Sequence, residues 1–267
     1  MTSTPFEAKA VQNITFELGA HESVGIIGPT GSGKSTLGQA LAGLMPLDSG
    51  SLHINDRQVP DELMVSKAYE YVSFLFQKPE KQIFEATVYD EVAFGCKNLG
   101  WPNEKTEKAV RRSLELTGLD FDKYKARSPF NLSGGEMRRV GIASVIALDS
   151  AALIMDEPTA GLDPHGKRLV IDFLISLKAR KKALVLISHD MDEVLKVCER
   201  VIVLDEGRVA LDCPTKDLQK HLSKLNELGM YLPEDYTLGQ RLKESGYNAQ
   251  TFESEDIIKA VEERLSG

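Results

Sequence analysis

The run Gly28-Pro29-Thr30-Gly31-Ser32-Gly33-Lys34-Ser35 has residue types and a spacing suited to holding a polyphosphate. It fits G-x-x-x-x-G-K-[ST], the phosphate-binding loop pattern. The glycines let the backbone curl so that successive N–H groups face an anion. Pro29, Thr30 and Ser32 complete the loop, and Thr36 continues it into a helix whose positive end adds to the field. Lys34 supplies a point charge for the β- and γ-phosphates, and the Ser35 hydroxyl suits Mg²⁺. Taken alone, the loop implies a nucleoside triphosphate and no particular reaction.

The flanking sequence supplies the elements such a loop needs. Ser23 to Ile27 is short, apolar and β-branched, which predicts a buried strand, and Thr36 to Leu44 predicts a helix. Further strands are predicted at Asn13–Leu18, Ser51–Ile54, Tyr71–Leu75, Ala151–Met155 and Leu184–Ile187. A hairpin-like pair is predicted at Val201–Leu204 and Arg208–Leu211. Helices are predicted at Thr87–Leu99, Glu104–Thr117, Ser133–Leu148, His165–Arg180 and Asp190–Cys198. Strands alternating with helices imply an α/β fold with a mostly parallel sheet and right-handed crossovers, plus a small antiparallel part. From Pro214 onward the chain turns more polar and is broken by Gly229, Pro233 and Gly239. This predicts a helical appendage whose apolar positions include Leu222, Leu225, Leu228, Ile257, Ile258 and Val261.

Two further constellations bear on chemistry. The strand Ala151–Met155 runs into Asp156-Glu157. One carboxylate there could hold Mg²⁺ and the other could polarise a water attacking a γ-phosphate. The run Leu132-Ser133-Gly134-Gly135-Glu136 offers a serine N-cap and bare backbone N–H groups at a helix start, a second anion site. A single triphosphate rarely needs two such sites on one chain. Two chains placed head to tail would use both, one loop and one Ser-Gly-Gly enclosing the same γ-phosphate.

Composition narrows the classes. A net charge of −8 argues against a broad basic surface for nucleic acid or anionic lipid. Cys96, Cys198 and Cys213 are scattered without C-x-x-C spacing, which points to a reducing compartment and away from structural zinc. With no signal peptide and no apolar run of membrane-spanning length, the chain is expected to be soluble and cytosolic, meeting a membrane only through a partner.

The loop at 28–35, Gln77 at a strand end, Leu132-Ser133-Gly134-Gly135-Glu136, Asp156-Glu157, Gly161-Leu162-Asp163 and His189 stand in the order and spacing of the ABC-type ATPase cassette, which the chain resembles over roughly residues 10–212. That resemblance implies ATP and Mg²⁺ as ligands, with Glu157, His189 and Gln77 in catalysis. It also implies Mg²⁺ ligation by Ser35, Gln77 and Asp156, and Asp163 at a dimer interface. Gln77-Lys78-Pro79-Glu80-Lys81-Gln82-Ile83-Phe84, Thr87 to Gly95, Ser128 to Asn131 and Leu228 to Pro233 resemble the second of the paired ATPases of energy-coupling factor (ECF) vitamin transporters.

The resemblance therefore implies a nucleotide-binding domain over 1–213, with an inserted helical subdomain at about 80–148, and a C-terminal helical dimerisation domain over 214–267. The implied partners are a second, similar ATPase, a transmembrane scaffold docking near 77–95, and a separate membrane protein that binds substrate. The implied location is the cytoplasmic face of the membrane. Ile83, Phe84, Val88 and Phe94 would give the docking groove its apolar surface, and Asp90 and Glu91 its charge. Phe6 is the aromatic available to stack on adenine. The alternatives are an ATPase of another importer, for cobalt or nickel for instance, and a non-transport cassette acting on DNA or ribosomes. The coiled-coil, zinc or double-cassette features of the latter group are missing from this sequence.

Overall fold

The computed structural model describes residues 10–59 and 71–245. Ser23-Val24-Gly25-Ile26-Ile27 folds as β1 (Ser23–Ile27), buried at every position. It lies inside a six-stranded sheet with β4 (Val72–Leu75), β5 (Ala152–Asp156), β6 (Ala183–Ile187), β7 (Arg200–Asp205) and β8 (Arg208–Pro214), in the order β4-β5-β6-β1-β7-β8. β1 pairs in parallel with β6 on one side and β7 on the other. β4, β5 and β6 continue the parallel run, and only β8 is antiparallel, hairpinned to β7 through Glu206-Gly207. β2 (His53–Ile54) and β3 (Arg57–Gln58) make a separate antiparallel pair.

A strand hydrogen-bonded on both edges needs cover on both faces. The pleat sends Ile27 into one apolar cluster, with Met155, Leu174, Leu186 and Val203. Val24 and Ile26 join the other, with Leu37, Ile154, Val185 and Ile202. The helix Lys34–Leu41 lies close against the sheet at Gly38, where a Cβ would come within 2.6 Å of Ile187 Cδ1. Because the parallel strands share a direction, the loops after β1, β4, β5 and β6 all emerge at one edge of the sheet, where α/β proteins bind ligands.

The inserted helices Val88–Asn98, Asn103–Leu116, Phe121–Tyr124 and Gly134–Ala147 build a core of their own from Val88, Val92, Val110, Leu114, Leu119, Phe121, Val140 and Ala143. The Gly134–Ala147 helix also supplies Ile142 and Ile146 to the main core, so one helix belongs to both bodies.

Several sequence expectations need correcting. Asn13–Leu18 is not a strand, although Ile14, Phe16 and Leu18 are half-buried while Asn13, Thr15 and Glu17 are exposed. The alternation packs the segment against the sheet's core, but no described strand pairs with it. The strand predicted at Ser51–Ile54 shrinks to His53–Ile54, pairing with Arg57–Gln58 across Asn55-Asp56, both at positive φ. The predicted Thr36–Leu44 helix starts earlier and stops at Leu41, where Gly43 at φ 66° ends it. The turn of helix at Phe121–Tyr124 carried no periodicity to find.

In the tail, Thr215–His221 is a 3-10 turn, and Leu222–Glu227 and Glu234–Glu244 are helices. Leu218 and Leu225 are fully buried in the main core, with Leu228, Met230 and Leu232 packed against it. Phe6, Ile257, Ile258 and Val261 lie outside the described residues. Among the described residues, no helix is long and apolar enough to cross a membrane.

Leu225→Ala should destabilise the protein by about 2–5 kcal/mol, the cost of a cavity in a packed core. Tyr231, 71% exposed, should tolerate Ala within about 0.5 kcal/mol. Urea unfolding of both variants measures the difference.

Candidate active site

The loop after β1 has the backbone an anion cradle requires. Gly28, Gly31 and Gly33 stand at φ 148°, 83° and 96°. At Gly28 a Cβ would lie 2.1 Å from the Leu204 carbonyl oxygen, and at Gly33 2.2 Å from that of Ala10, so both positions demand glycine. Gly33 caps the Lys34–Leu41 helix with no side chain, and no acid sits in the first turn. No acidic side chain of that first turn competes for the helix's first N–H groups. Ser32 Oγ is buried without a hydrogen-bond partner, a further polar group aimed into the loop. Pro29 is half-buried, Thr30 and Gly31 are exposed, and Ser35 and Thr36 are half-buried in the helix's first turn.

Lys34 Nζ donates to the carbonyls of Gly28 and Pro29, at 2.8 Å each. Partial burial holds its pKa below the usual lysine value, and the Glu157 and Asp156 carboxylates oppose that shift. Asp156, buried at the end of β5, is shifted the other way: burial raises its pKa, the Ser35 hydroxyl bond lowers it, Glu157 raises it and Lys34 lowers it. Ser35 and Asp156 are thus bonded to each other, a pair of hard oxygen donors of the kind Mg²⁺ takes alongside phosphate oxygens and waters.

Glu157 follows at φ 52°, a left-handed conformation unusual for glutamate. Its N–H donates to Ile187 O at 2.9 Å. Its carboxylate accepts from the His189 N–H at 3.0 Å, and its Oε2 lies 2.7 Å from His189 Nδ1. The side chain of Glu157 is nearly buried while that of His189 is 77% exposed. The bond to Glu157 raises the His189 pKa above its ordinary value, so the pair favours imidazolium against carboxylate. Lys34, Ser35, Asp156, Glu157 and His189 are therefore linked into one cluster at the strand edge.

Gln77, two residues past β4, has an exposed side chain, and its carbonyl accepts from Arg138 Nη1 at 3.0 Å. Asp163 is exposed, its Oδ1 accepting from the Gly166 N–H at 2.6 Å to cap the helix Pro164–Ala179. Neither side chain makes a described contact with the carboxylate cluster. The loop between Glu157 and Asp163 is tied down from within. Thr159 donates to the buried Glu193, which also accepts from Ser188 at 3.0 Å and pairs with Lys167 at 3.0 Å.

Ser133 caps the Gly134–Ala147 helix in a full capping box. Its Oγ accepts from the Glu136 N–H, while Glu136 accepts from Ser133 N and Oγ at 2.9 and 2.7 Å. Tyr124 donates to the same carboxylate at 2.6 Å. These donors, Tyr124 first, hold the Glu136 pKa down to about 2. A Cβ at Gly134 or Gly135 would meet nothing within 4 Å, so the chain's own packing does not require glycine at either position. Room is left there for something approaching from outside.

Sequence reasoning assigned no task to three residues that organise the site: Arg138, which lies in the run Met137-Arg138-Arg139-Val140 that also resembles the ECF ATPases, Glu193 and Tyr124. For Arg138 and Glu193 the available signal was a charged side chain on an otherwise apolar helix face, Arg138 one turn before Ile142 and Glu193 one turn before Val197. Asp90 and Glu91 also behave differently from the expectation. Glu91 is buried and accepts from the Phe84 and Glu85 N–H groups at 3.0 and 2.9 Å. Asp90 is bonded to Thr87 and paired with Lys97 at 2.8 Å. Both acids are engaged inside the chain and shape the 84–98 segment.

A family profile described as ABC transporter matches residues 11–160. The chain is 40% identical over 261 residues to the energy-coupling factor transporter ATP-binding protein EcfA2 of Clostridioides difficile, covering 97% of this chain and 89% of that one. It is 37% identical over 267 residues to the protein of the same name from Symbiobacterium thermophilum, covering 99% and 92%. A solved structure from Clostridium perfringens, part of the ABC transporter complex cbiONQ, is 33% identical with a TM-score of 0.68, covering 82% of this chain and 88% of that one. A dimeric ATP-binding cassette in a post-hydrolysis state, bound to ADP and Pi, is 25% identical with a TM-score of 0.71, covering 77% and 90%.

The His189–Glu157 pair has a direct signature. In the free chain the His189 pKa should lie above the usual value near 6.5, and Glu157→Gln should bring it back down. Stability from this pair is fully present below the unfolded-state pKa and is lost as pH rises through the raised folded-state value. Ring-proton NMR titration of both forms checks it.

Proposed function

The chain belongs to the ABC transporter family, and on that premise we propose that it is the ATP-hydrolysing subunit that energises an energy-coupling factor importer of vitamins or other micronutrients. The observation that carries the reading is the placement of the nearly buried Glu157 carboxylate directly after Asp156, at the strand edge that also carries the phosphate loop. The relatives named for energy-coupling factor transporters point to the type of importer.

In this reading the loop N–H groups and Lys34 hold the β- and γ-phosphates. Glu157 accepts a hydrogen bond from the attacking water and aims its oxygen at the γ-phosphorus. The new P–O bond forms as the bond to the bridging β,γ-oxygen breaks, giving ADP and Pi. His189 steadies the carboxylate through its Nδ1 and main-chain N–H. Mg²⁺, held by Ser35, Asp156 and Gln77, would neutralise phosphate charge.

Ser133, Gly134 and Gly135 would serve the nucleotide of a second, similar ATPase placed head to tail, with Asp163 at the same interface. Gly134 and Gly135 support this, being glycines where the chain's own packing asks for none. Leaving Gly134 and Gly135 without side chains lets a phosphate approach the bare N–H groups of the helix start. Residues 214–267 would act as the dimerisation appendage to a nucleotide-binding domain over 1–213. Tyr231 and Leu238, 71% and 49% exposed, give the tail apolar surface for the partner.

Contact with the membrane, on the cytoplasmic face, would run through a transmembrane scaffold that carries the substrate-binding protein. Phe84 and Phe94, 58% and 39% exposed, stack edge to face at 4.8 Å, an apolar patch within the 77–95 segment. With Asp90 and Glu91 engaged internally, this patch rather than an acidic groove would receive the scaffold.

Glu157→Gln should keep ATP binding and lower hydrolysis by about a hundredfold or more, because the amide holds its shape but cannot polarise water. Phosphate release set beside nucleotide retention measures both. Phe84→Asp should leave stability within about 0.5 kcal/mol, as at most surface positions, and abolish co-purification with the membrane partner. A variant that still co-purifies would move the docking face elsewhere.

A further inference from the structure

Arg138 is the buried cation that the hydrolytic reading leaves without a task. It sits on the helix that Ser133 caps, and its side chain is 8% exposed. Nη2 donates to the Glu157 carbonyl at 2.5 Å, and Nη1 donates to the Gln77 carbonyl at 3.0 Å. A carboxylate of Glu80 lies 3.4 Å from Nη1, and Nε has no partner. Taking a guanidinium out of water is costly, and one long ion pair recovers little of that cost. Burial accordingly lowers the Arg138 pKa against the pull of Glu80 and Glu157. The strongest bonds of this cation end on two main-chain carbonyls, each belonging to a residue of the site.

The Glu157 backbone needs such a clamp. A glutamate at φ 52° persists only where its surroundings over-determine it. Ile187 fixes its N–H, His189 fixes its carboxylate, and Arg138 fixes its carbonyl. The other end of the same fork holds the start of the segment that carries Phe84. There the Arg138 helix packs so closely that a Cβ at Gly141 would lie 2.7 Å from Pro79 Cβ.

We propose that Arg138 is a positioning residue for ATP hydrolysis, joining the main chain of Glu157 to that of Gln77, so that displacement of the 77–84 segment by a docked partner re-aims the Glu157 carboxylate. The proposal rests on Glu157 as the water-orienting group. A lysine keeps the charge but cannot fork to both carbonyls, which makes Arg138→Lys the informative change.

The test uses the full-length chain purified with its partner ATPase. Arg138→Lys should lower kcat by about tenfold to a hundredfold while the KM for ATP stays within about threefold, the signature of a misaimed group rather than a damaged binding loop. In a Glu157→Gln background the same change should cost less than about twofold in single turnover, because two residues acting through one group are not additive. Arg138→Met removes the charge as well; should it fail to fold in a thermal melt, the lysine variant still decides. A kcat within about twofold of the unaltered protein for Arg138→Lys, or an equal loss in both backgrounds, overturns the proposal. Near-normal turnover by Glu157→Gln with Arg138 intact instead overturns the role of Glu157, and the proposal falls with it.

Discussion

Hydrogen bonding of β1 to parallel neighbours on both edges is the constraint on which the site depends. Because Ser23–Ile27 is paired with β6 and with β7, its two faces must be buried at once, with Val24 and Ile26 on one and Ile27 on the other. Parallel pairing then aligns the carboxyl ends of β1, β4, β5 and β6. Residues distant in the chain, Lys34, Gln77, Glu157 and His189, are delivered to one edge without any contact needing to be designed between them. The register is direct: Asp156 lies opposite Ile187 across β5 and β6, which brings Glu157 within reach of His189. A slip by one residue would turn Asp156 to the opposite face of the sheet.

That edge concentrates charge in a place poorly suited to it. Asp156 and Glu157 are buried, Lys34 is partly so, and the Ser32 hydroxyl of the adjoining loop is buried without a partner. Burial pushes the Asp156 pKa up and the Lys34 pKa down, each toward its neutral form, and each group's attraction to the other opposes the shift. A polyphosphate would offer its oxygens to Lys34 and to the loop N–H groups. Lys34 meanwhile donates to the carbonyls of Gly28 and Pro29 in its own loop.

The strands that matter were legible because each is a short apolar run bounded by turn residues, and the phosphate loop because its spacing has a mechanism. Asn13–Leu18 misled for a physical reason. Period-two burial requires only that alternate side chains face a core, whereas a strand also requires a partner for its backbone. The cross-links were illegible in principle. Arg138 reaches Gln77 and Glu157 from 61 and 19 residues away, and Thr159 meets Glu193 across 34. Nothing in the local pattern around any of them announces the other. Asp90 and Glu91 were visible as acids at a helix start, but whether an acid serves the helix, the neighbouring loop or a partner is decided by what the fold places within 3 Å of it.

The glycines separate folding from function within one chain. At Gly28, Gly33 and Gly38 a side chain would strike backbone or core atoms, so the protein needs them in order to fold. Gly134 and Gly135 have open space where a Cβ would go and ordinary helical surroundings, yet glycine in a helix costs up to about 1 kcal/mol relative to alanine. The capping box of Ser133 and Glu136, reinforced by Tyr124, offsets that weakness at the start of the helix. It does so with a carboxylate that stays ionised far below neutral pH. This helix start is thus capped by its own side chains while Gly134 and Gly135 carry no side chain over their N–H groups. Packing within the chain supplies no reason to leave them so; an anion carried by another molecule, as in the proposed head-to-tail pairing, would.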